Sequence, residues 1–373
     1  MRFTIRNQEF VKAVLSVSRI IPSVCKSPIL ANIKLDLTDG GLALTTSNDE
    51  LAMRTLIPFF LDDKEIIRDY KKGSCLIEAR FLSEIVKRSQ GEEISFEIVE
   101  NAVAKIEAET AQYSSPIARV EDYPERDFAL VGTKVDITGQ DLLDAISQVA
   151  FAASVKNTRP ALTGVNIECN STRLVFTATD GARLAKKEIM TDTEDVFNVT
   201  LPAKSLQEVG KSIESEQSIE VYVSDKKVLF ICNNTVISSL IFADNYPNVK
   251  NIIPKNFYYT LEVNSGDLLR ALDKVGFASS DRDRMAKLIM SEHNIDVVSK
   301  SQRGENANDK LSLFRYVGDR LEISFNIDFV SQAVKALKCE DVLISFIGEM
   351  KPFLIVHKNN PSVIQLVTPM RTH

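Results

Sequence analysis

A pattern that occurs three times along the 373 residues restricts the fold of this chain more than any other feature. Each copy opens with a short strand that runs into an amphipathic helix. The copies are Phe3-Thr4-Ile5 followed by residues 9–21, Val135-Asp136-Ile137 followed by 141–154, and Tyr259-Thr260-Leu261 followed by 267–280. A second helix recurs over 79–86, 203–209 and 327–334, with Leu82, Leu206 and Val330 spaced by 124 residues each time. A strand of alternating or continuous apolar residues follows every copy, at 94–98, 219–223 and 342–346. Asp122-Tyr123-Pro124 and Asn245-Tyr246-Pro247 close the first two copies with turn-forming residues. Three units of about 124 residues therefore fill the chain, with boundaries expected at 1–127, 128–253 and 254–373. Two helices and many short strands in each unit make an α+β fold.

Composition narrows the function. Hydrophobic residues make up 44% and charged residues 26%, enough apolar material for a core in each unit. The net charge of −6 excludes a simple polybasic nucleic-acid binder, while leaving room for a local basic surface. No run of 18 apolar residues is present, so no transmembrane helix is expected. The first six residues read as a strand, not as a signal peptide, and Cys25, Cys75, Cys169, Cys232 and Cys339 form no CxxC pair. A cytoplasmic protein with reduced thiols follows.

The search for catalytic chemistry returns little. Gly210-Lys211-Ser212 ends like a phosphate-binding loop, but Ser205 stands where that loop needs glycine. His293, His357 and His373 lack metal-ligand spacing, and no serine or cysteine carries a nucleophile signature. No enzyme activity, cofactor or metal is expected. An unrecognised carboxylate pair would make the chain an enzyme, and turnover lost on mutating one carboxylate would reveal it. A protein-interaction scaffold is the other competing class. Residues 299–308, polar and charged, read as a mobile surface loop.

Several strings carry a family resemblance: Ser27-Pro28-Ile29-Leu30, Thr158-Arg159-Pro160-Ala161-Leu162-Thr163-Gly164-Val165, Ala178-Thr179-Asp180-Gly181-Ala182-Arg183-Leu184-Ala185, Tyr246-Pro247-Asn248, Met350-Lys351-Pro352-Phe353 and Val367-Thr368-Pro369-Met370-Arg371. With the triplication, they make the whole chain resemble the bacterial DNA polymerase III beta subunits, the beta sliding clamps. The resemblance implies three repeated DNA-clamp domains, each with two helices and antiparallel sheets, closing head to tail into a homodimeric ring around double-stranded DNA. Six helices about 10 Å apart leave a hole of roughly 9 Å, whereas twelve leave roughly 28 Å. Duplex DNA needs roughly 16 Å or more, so only the dimer admits it.

The resemblance further implies a processivity factor that tethers the polymerase and contacts phosphates without sequence preference. Lys12, Arg80, Lys204 and Lys335 of the repeated helices are the candidates to line the hole, Lys156 and Arg159 fall on the loop that touches DNA in similar clamps, and Lys26 is the nearby substitute for an arginine of the family. Val24 stands where the family has a DNA-contacting arginine. A peptide pocket for the polymerase III alpha subunit, the clamp loader and other proteins with a clamp-binding motif falls on Leu162, Thr179, Gly181, Arg183, Leu184, Pro247, Ile252, Met350, Pro352, Leu366, Val367, Pro369, Met370 and Arg371. Ala182, Asn251 and Thr368 depart from residues seen in some similar clamps. The dimer seam is expected at Tyr113 and Phe277, the latter with core packing as its alternative. No membrane partner is implied.

Overall fold

The structure, a computed structural model, describes the chain apart from residues 23–26, 157, 171, 194, 280–283, 302–303 and 372–373. The recurring helices fall where the sequence pattern puts them: α1 (Asn7–Ser18), α2 (Ala79–Arg88), α3 (Gly139–Val149), α4 (Ala203–Gly210), α5 (Ser265–Gly276) and α6 (Ile327–Leu337). Apolar spacing explains them. In α1, Phe10, Ala13, Val14 and Val17 lie on one face and are buried; in α2, Leu82, Ile85 and Val86 do the same. The Ser18 and Ser83 hydroxyls meet at 3.0 Å and tie α1 to α2. In the third repeat both helices begin at an asparagine cap. The Asn264 side chain accepts the Asp267 amide at 3.1 Å, and Asn326 accepts that of Phe329 at 3.1 Å.

The chain divides into two compact units, 1–140 with 208–241 and 141–207 with 242–373. The division runs through the second repeat because its strands belong to two different sheets. In the first unit an eight-stranded antiparallel sheet joins Thr235–Leu240 of the second repeat to Leu51–Ile57 of the first, with Ser239 opposite Leu51. In the second unit a nine-stranded sheet joins Asn360–Val367 of the third repeat to Arg183–Met190 of the second, with Val367 opposite Arg183. Each junction thus pairs the last strand of one repeat with the fourth strand of the repeat before it. A matching backbone bond closes both: Leu240 N–H to the Glu50 carbonyl, and Thr368 N–H to the Ala182 carbonyl, each 2.9 Å.

Two strands of these types remain at sheet edges. Ala111–Pro116, the last strand of the first repeat, pairs only with Val103–Ala108 among the described residues. Asn306–Lys310, the third-repeat counterpart of Leu51–Ile57 and Arg183–Met190, pairs among the described residues only with Asn294–Lys300. This corrects the loop expected over 299–308. Its described ends are strands, Ser299 is buried and donates to the Met285 carbonyl at 2.7 Å, and the polar side chains mark a sheet edge.

Asp267 pins the start of α5 to the chain before Phe314. Burial works against its charge, but its carboxylate accepts the Ser312 and Leu313 amides at 2.7 and 3.1 Å. Those bonds, with Arg270, hold the carboxyl below its ordinary 3.8. A depressed folded pKa gives stabilisation that is present above the unfolded value and lost as pH falls through the folded one. Asp267→Asn should cost about 1.5 kcal/mol at pH 7, the scale of hydrogen bonds to a charged group. Thermal unfolding at pH 7 and pH 3 checks this: the gap between wild type and variant should shrink at pH 3.

Candidate functional site

The residues expected to form a peptide pocket all lie in the second unit, around the junction of the second and third repeats. Its floor is apolar and buried. Leu184, Leu354 and Leu366 form a cluster, brought together by the cross-strand pairs Leu184–Leu366 and Leu354–Leu366. Val249, Ile253 and Phe257 pack onto it from the segment that also carries Pro247 and Ile252. Val367 belongs to the neighbouring core and is opposite both Arg183 and Phe353. Leu184 and Val367 are therefore core residues as well as floor residues.

The rim is different. Ile252 and Met350 are 49% and 52% exposed, large apolar side chains with one side open. Pro247 and Arg371 are exposed, and Leu162, Pro352, Pro369 and Met370 are half-buried. A buried aliphatic floor with partly open Met, Ile and Pro walls suits a few apolar side chains of a short segment. The C-terminal tail is held at two points. Both the Thr368 amide and its hydroxyl donate to the Ala182 carbonyl, at 2.9 and 2.7 Å, and the Met370 amide donates to the Ser324 carbonyl at 2.7 Å.

The turn from Thr179 to Leu184 supplies the polar side. Gly181 takes φ +91°, a region that penalises other residues, although a Cβ there would meet no atom within 4 Å. The Thr179 hydroxyl accepts from the Gly181 amide at 3.1 Å and donates to the Arg183 carbonyl at 2.5 Å. Arg183 lies beneath the turn, with its side chain only 11% exposed. Burial pushes its pKa down and Asp180 pulls it back up. The partners that hold this turn, Phe151, Asp180, Phe329 and Gln332, are absent from the sequence-derived site. Asp180 belongs to the turn itself, whereas Phe151, just past α3, and Phe329 and Gln332, on α6, are distant in sequence, and only the repeated helices hinted at them.

The expected DNA-contact residues sit on helices and one loop. Lys12 of α1, Arg80 of α2, Lys204 of α4 and Lys335 of α6 are all exposed. Lys12 reaches Glu9 at 3.4 Å but stays 64% exposed. Lys156 and Arg159 are exposed on the segment before the turn Pro160–Thr163, whose Leu162 amide bonds the Arg159 carbonyl. Lys26 and Val24 lie outside the described residues. Of the seam residues, Tyr113 is half-buried on the edge strand Ala111–Pro116, and Phe277, just past α5, is 83% exposed. That exposure rules out core packing for Phe277.

Family models for the N-terminal, central and C-terminal domains of the DNA polymerase III beta subunit match residues 1–127, 136–248 and 250–371. The chain belongs to the DNA polymerase III beta subunit family. The Beta sliding clamp of Bacillus subtilis is 30% identical over the full length of both chains, and that of Staphylococcus epidermidis is 29% identical, again over both full lengths. The solved sliding clamp of Bacillus subtilis superposes over all of both chains with a TM-score of 0.95 at 30% identity. The beta chain from Streptococcus pneumoniae does so at 0.94 and 27% identity. The family membership establishes three clamp domains and the function of a DNA sliding clamp, a non-catalytic processivity factor of DNA polymerase III. Among the described residues no helix is long and apolar enough to cross a membrane.

Proposed function

We propose that two copies of this chain close head to tail around duplex DNA and offer the second-unit groove to short apolar segments of partner proteins. The carrying observation is the junction that occurs twice within the chain. Its two strand types are each left once at an edge, Ala111–Pro116 and Asn306–Lys310. Pairing the first of one copy with the second of another repeats the same junction between chains. Two such seams use both junction-type edges of each copy, which is the condition for a closed ring. Tyr113 and Phe277 belong to that seam. The three domains of each copy divide near 127 and 253, in keeping with the ranges over which the family models match.

Within the ring, Lys12, Arg80, Lys204 and Lys335 face phosphate, joined by Lys156 and Arg159 from the loop. Lys26 completes the set as the cation nearest in sequence to Val24, where the family has an arginine. Exposed cations without a rigid partner give weak, sequence-independent contacts, which a sliding ring requires. The groove binds the polymerase III alpha subunit, the clamp loader and other proteins carrying the same short motif, and tethering raises the effective concentration of the polymerase at the primer end. The protein works in the cytoplasm, where replication takes place in bacteria.

Topological retention tests the ring. The protein is loaded by a cognate loader and ATP onto nicked circular DNA, which is then linearised. Retention on the circle and release from the linear form are expected; equal retention on both would mean ordinary surface binding. For the groove, Met370→Ala should weaken a Leu- and Phe-containing peptide by about 1–3 kcal/mol without altering the dimer. Unchanged affinity in a fluorescence titration would remove Met370 from the binding surface.

A further inference from the structure

Arg183 is placed oddly for a residue that binds a ligand. Its Nε donates to Asp180 Oδ2 at 3.0 Å, one Nη donates to the Phe151 carbonyl at 2.8 Å, and the other donates to Gln332 Oε1. The Phe329 ring lies 4.5 Å from the guanidinium carbon and the Phe151 ring 5.4 Å from it. Each guanidinium nitrogen has a partner within the protein and the side chain is almost covered, so little of the group is left for a docked segment.

The contacts continue toward the groove. Asp180 Oδ1 accepts the amides of Ala182 and Arg183 at 2.9 and 3.0 Å, which fixes the turn. The Ala182 carbonyl in turn takes both donors of Thr368. A continuous set of hydrogen bonds therefore runs from Gln332 on α6, through Arg183 and Asp180, to the tail that carries Met370.

The first unit supplies an internal control. Leu51, opposite Ser239, occupies the strand position that Arg183 holds opposite Val367. There the same backbone bond forms, Leu240 to Glu50, with a buried leucine in place of the arginine. The junction itself does not need a guanidinium. A buried cation is costly unless fully paired, so its presence at the second junction calls for another role.

Resting on the groove reading above, we propose that Arg183 is a positioning residue: it ties the Asp180–Ala182 turn and the C-terminal tail to helix α6 and sets the groove without touching the docked peptide. Gln332, exposed on α6, is the outer anchor of this tie.

The test uses the full-length protein and a fluorescein-labelled hexapeptide containing leucine and phenylalanine. Arg183→Lys keeps the charge but loses the planar fork; Gln332→Ala removes the anchor at a surface position. Each should weaken peptide binding about 3- to 10-fold. The double variant should be no weaker than the worse single one, because both cut the same tie. Amide exchange at Ala182 and Thr368 should quicken in both single variants, while the thermal midpoint of Gln332→Ala stays at the wild-type value. Wild-type affinity in both single variants, or losses that multiply in the double variant with exchange unchanged, would overturn the proposal. If the wild-type protein does not bind the peptide, or Met370→Ala leaves binding unchanged, the groove reading itself fails. The exchange rates at Ala182 and Thr368 then still decide whether the tie to α6 exists.

Discussion

Phe277→Asp should dissociate the dimer at concentrations where the wild-type protein stays paired. Phe277 follows α5 as Phe151 follows α3, and the two copies differ in cover. At the internal junction Phe151 packs beside Arg183, whereas Phe277 is 83% exposed in the single chain. The repeat logic puts the missing cover on the second copy of the chain. An aromatic anchor at such a seam contributes about 2–4 kcal/mol. Replacing it with a carboxylate adds the cost of burying an unpaired charge, so the dimer should weaken by at least about 100-fold. Sedimentation equilibrium across a dilution series reads this directly. An unchanged dissociation constant would move the seam away from the end of α5.

Phe353→Ala is the second large effect. Phe353 is 1% exposed, with its ring 5.3 Å from that of Phe346 and 5.9 Å from that of Phe325. Removing it deletes a fully buried aromatic from the core of the third repeat and leaves a cavity that rigid neighbouring strands cannot close. The expected cost is about 3–5 kcal/mol in the stability of the second unit. Phe353 also faces Val367 across the sheet, so the groove floor should loosen with it. Urea unfolding followed by a probe in the second unit measures the loss. A cost below about 1 kcal/mol would mean that the site collapses around the smaller side chain.

Much of this was legible in the residues. The helices and the strands that follow them stood out because apolar spacing is local, and three copies of it average out the noise of any one. Leu184 and Val367 were likewise readable as core from their apolar side chains, whereas Ile252, which reads the same way, is half exposed. Other features depend on partners remote in sequence. The division of the second repeat between two units follows from which strand ends pair, and nothing in residues 128–253 alone fixes that. The edge strand Asn306–Lys310 was hidden by its polarity, since side chains at an edge do not report a core. Arg183 was readable as part of the pocket from the family string. Its burial between Phe151 and Phe329 was not, because those rings arrive from the turn after α3 and from α6.

The polar makeup of Asn306–Lys310 has a consequence for the newly made chain. An uncovered strand edge is a template on which any extended segment can add, and apolar edges of this kind seed aggregates. Asn-Ala-Asn-Asp-Lys offers such a stray strand little apolar surface, and a charge at its end opposes flat stacking. The exposed edge can therefore wait for its proper mate without recruiting strangers. On the proposed seam, adhesion between two copies comes from beside the strand, where Phe277 stands, and backbone pairing supplies alignment more than strength. Redesigning this edge with valine and isoleucine would be expected to raise stickiness in the cell before it improved assembly.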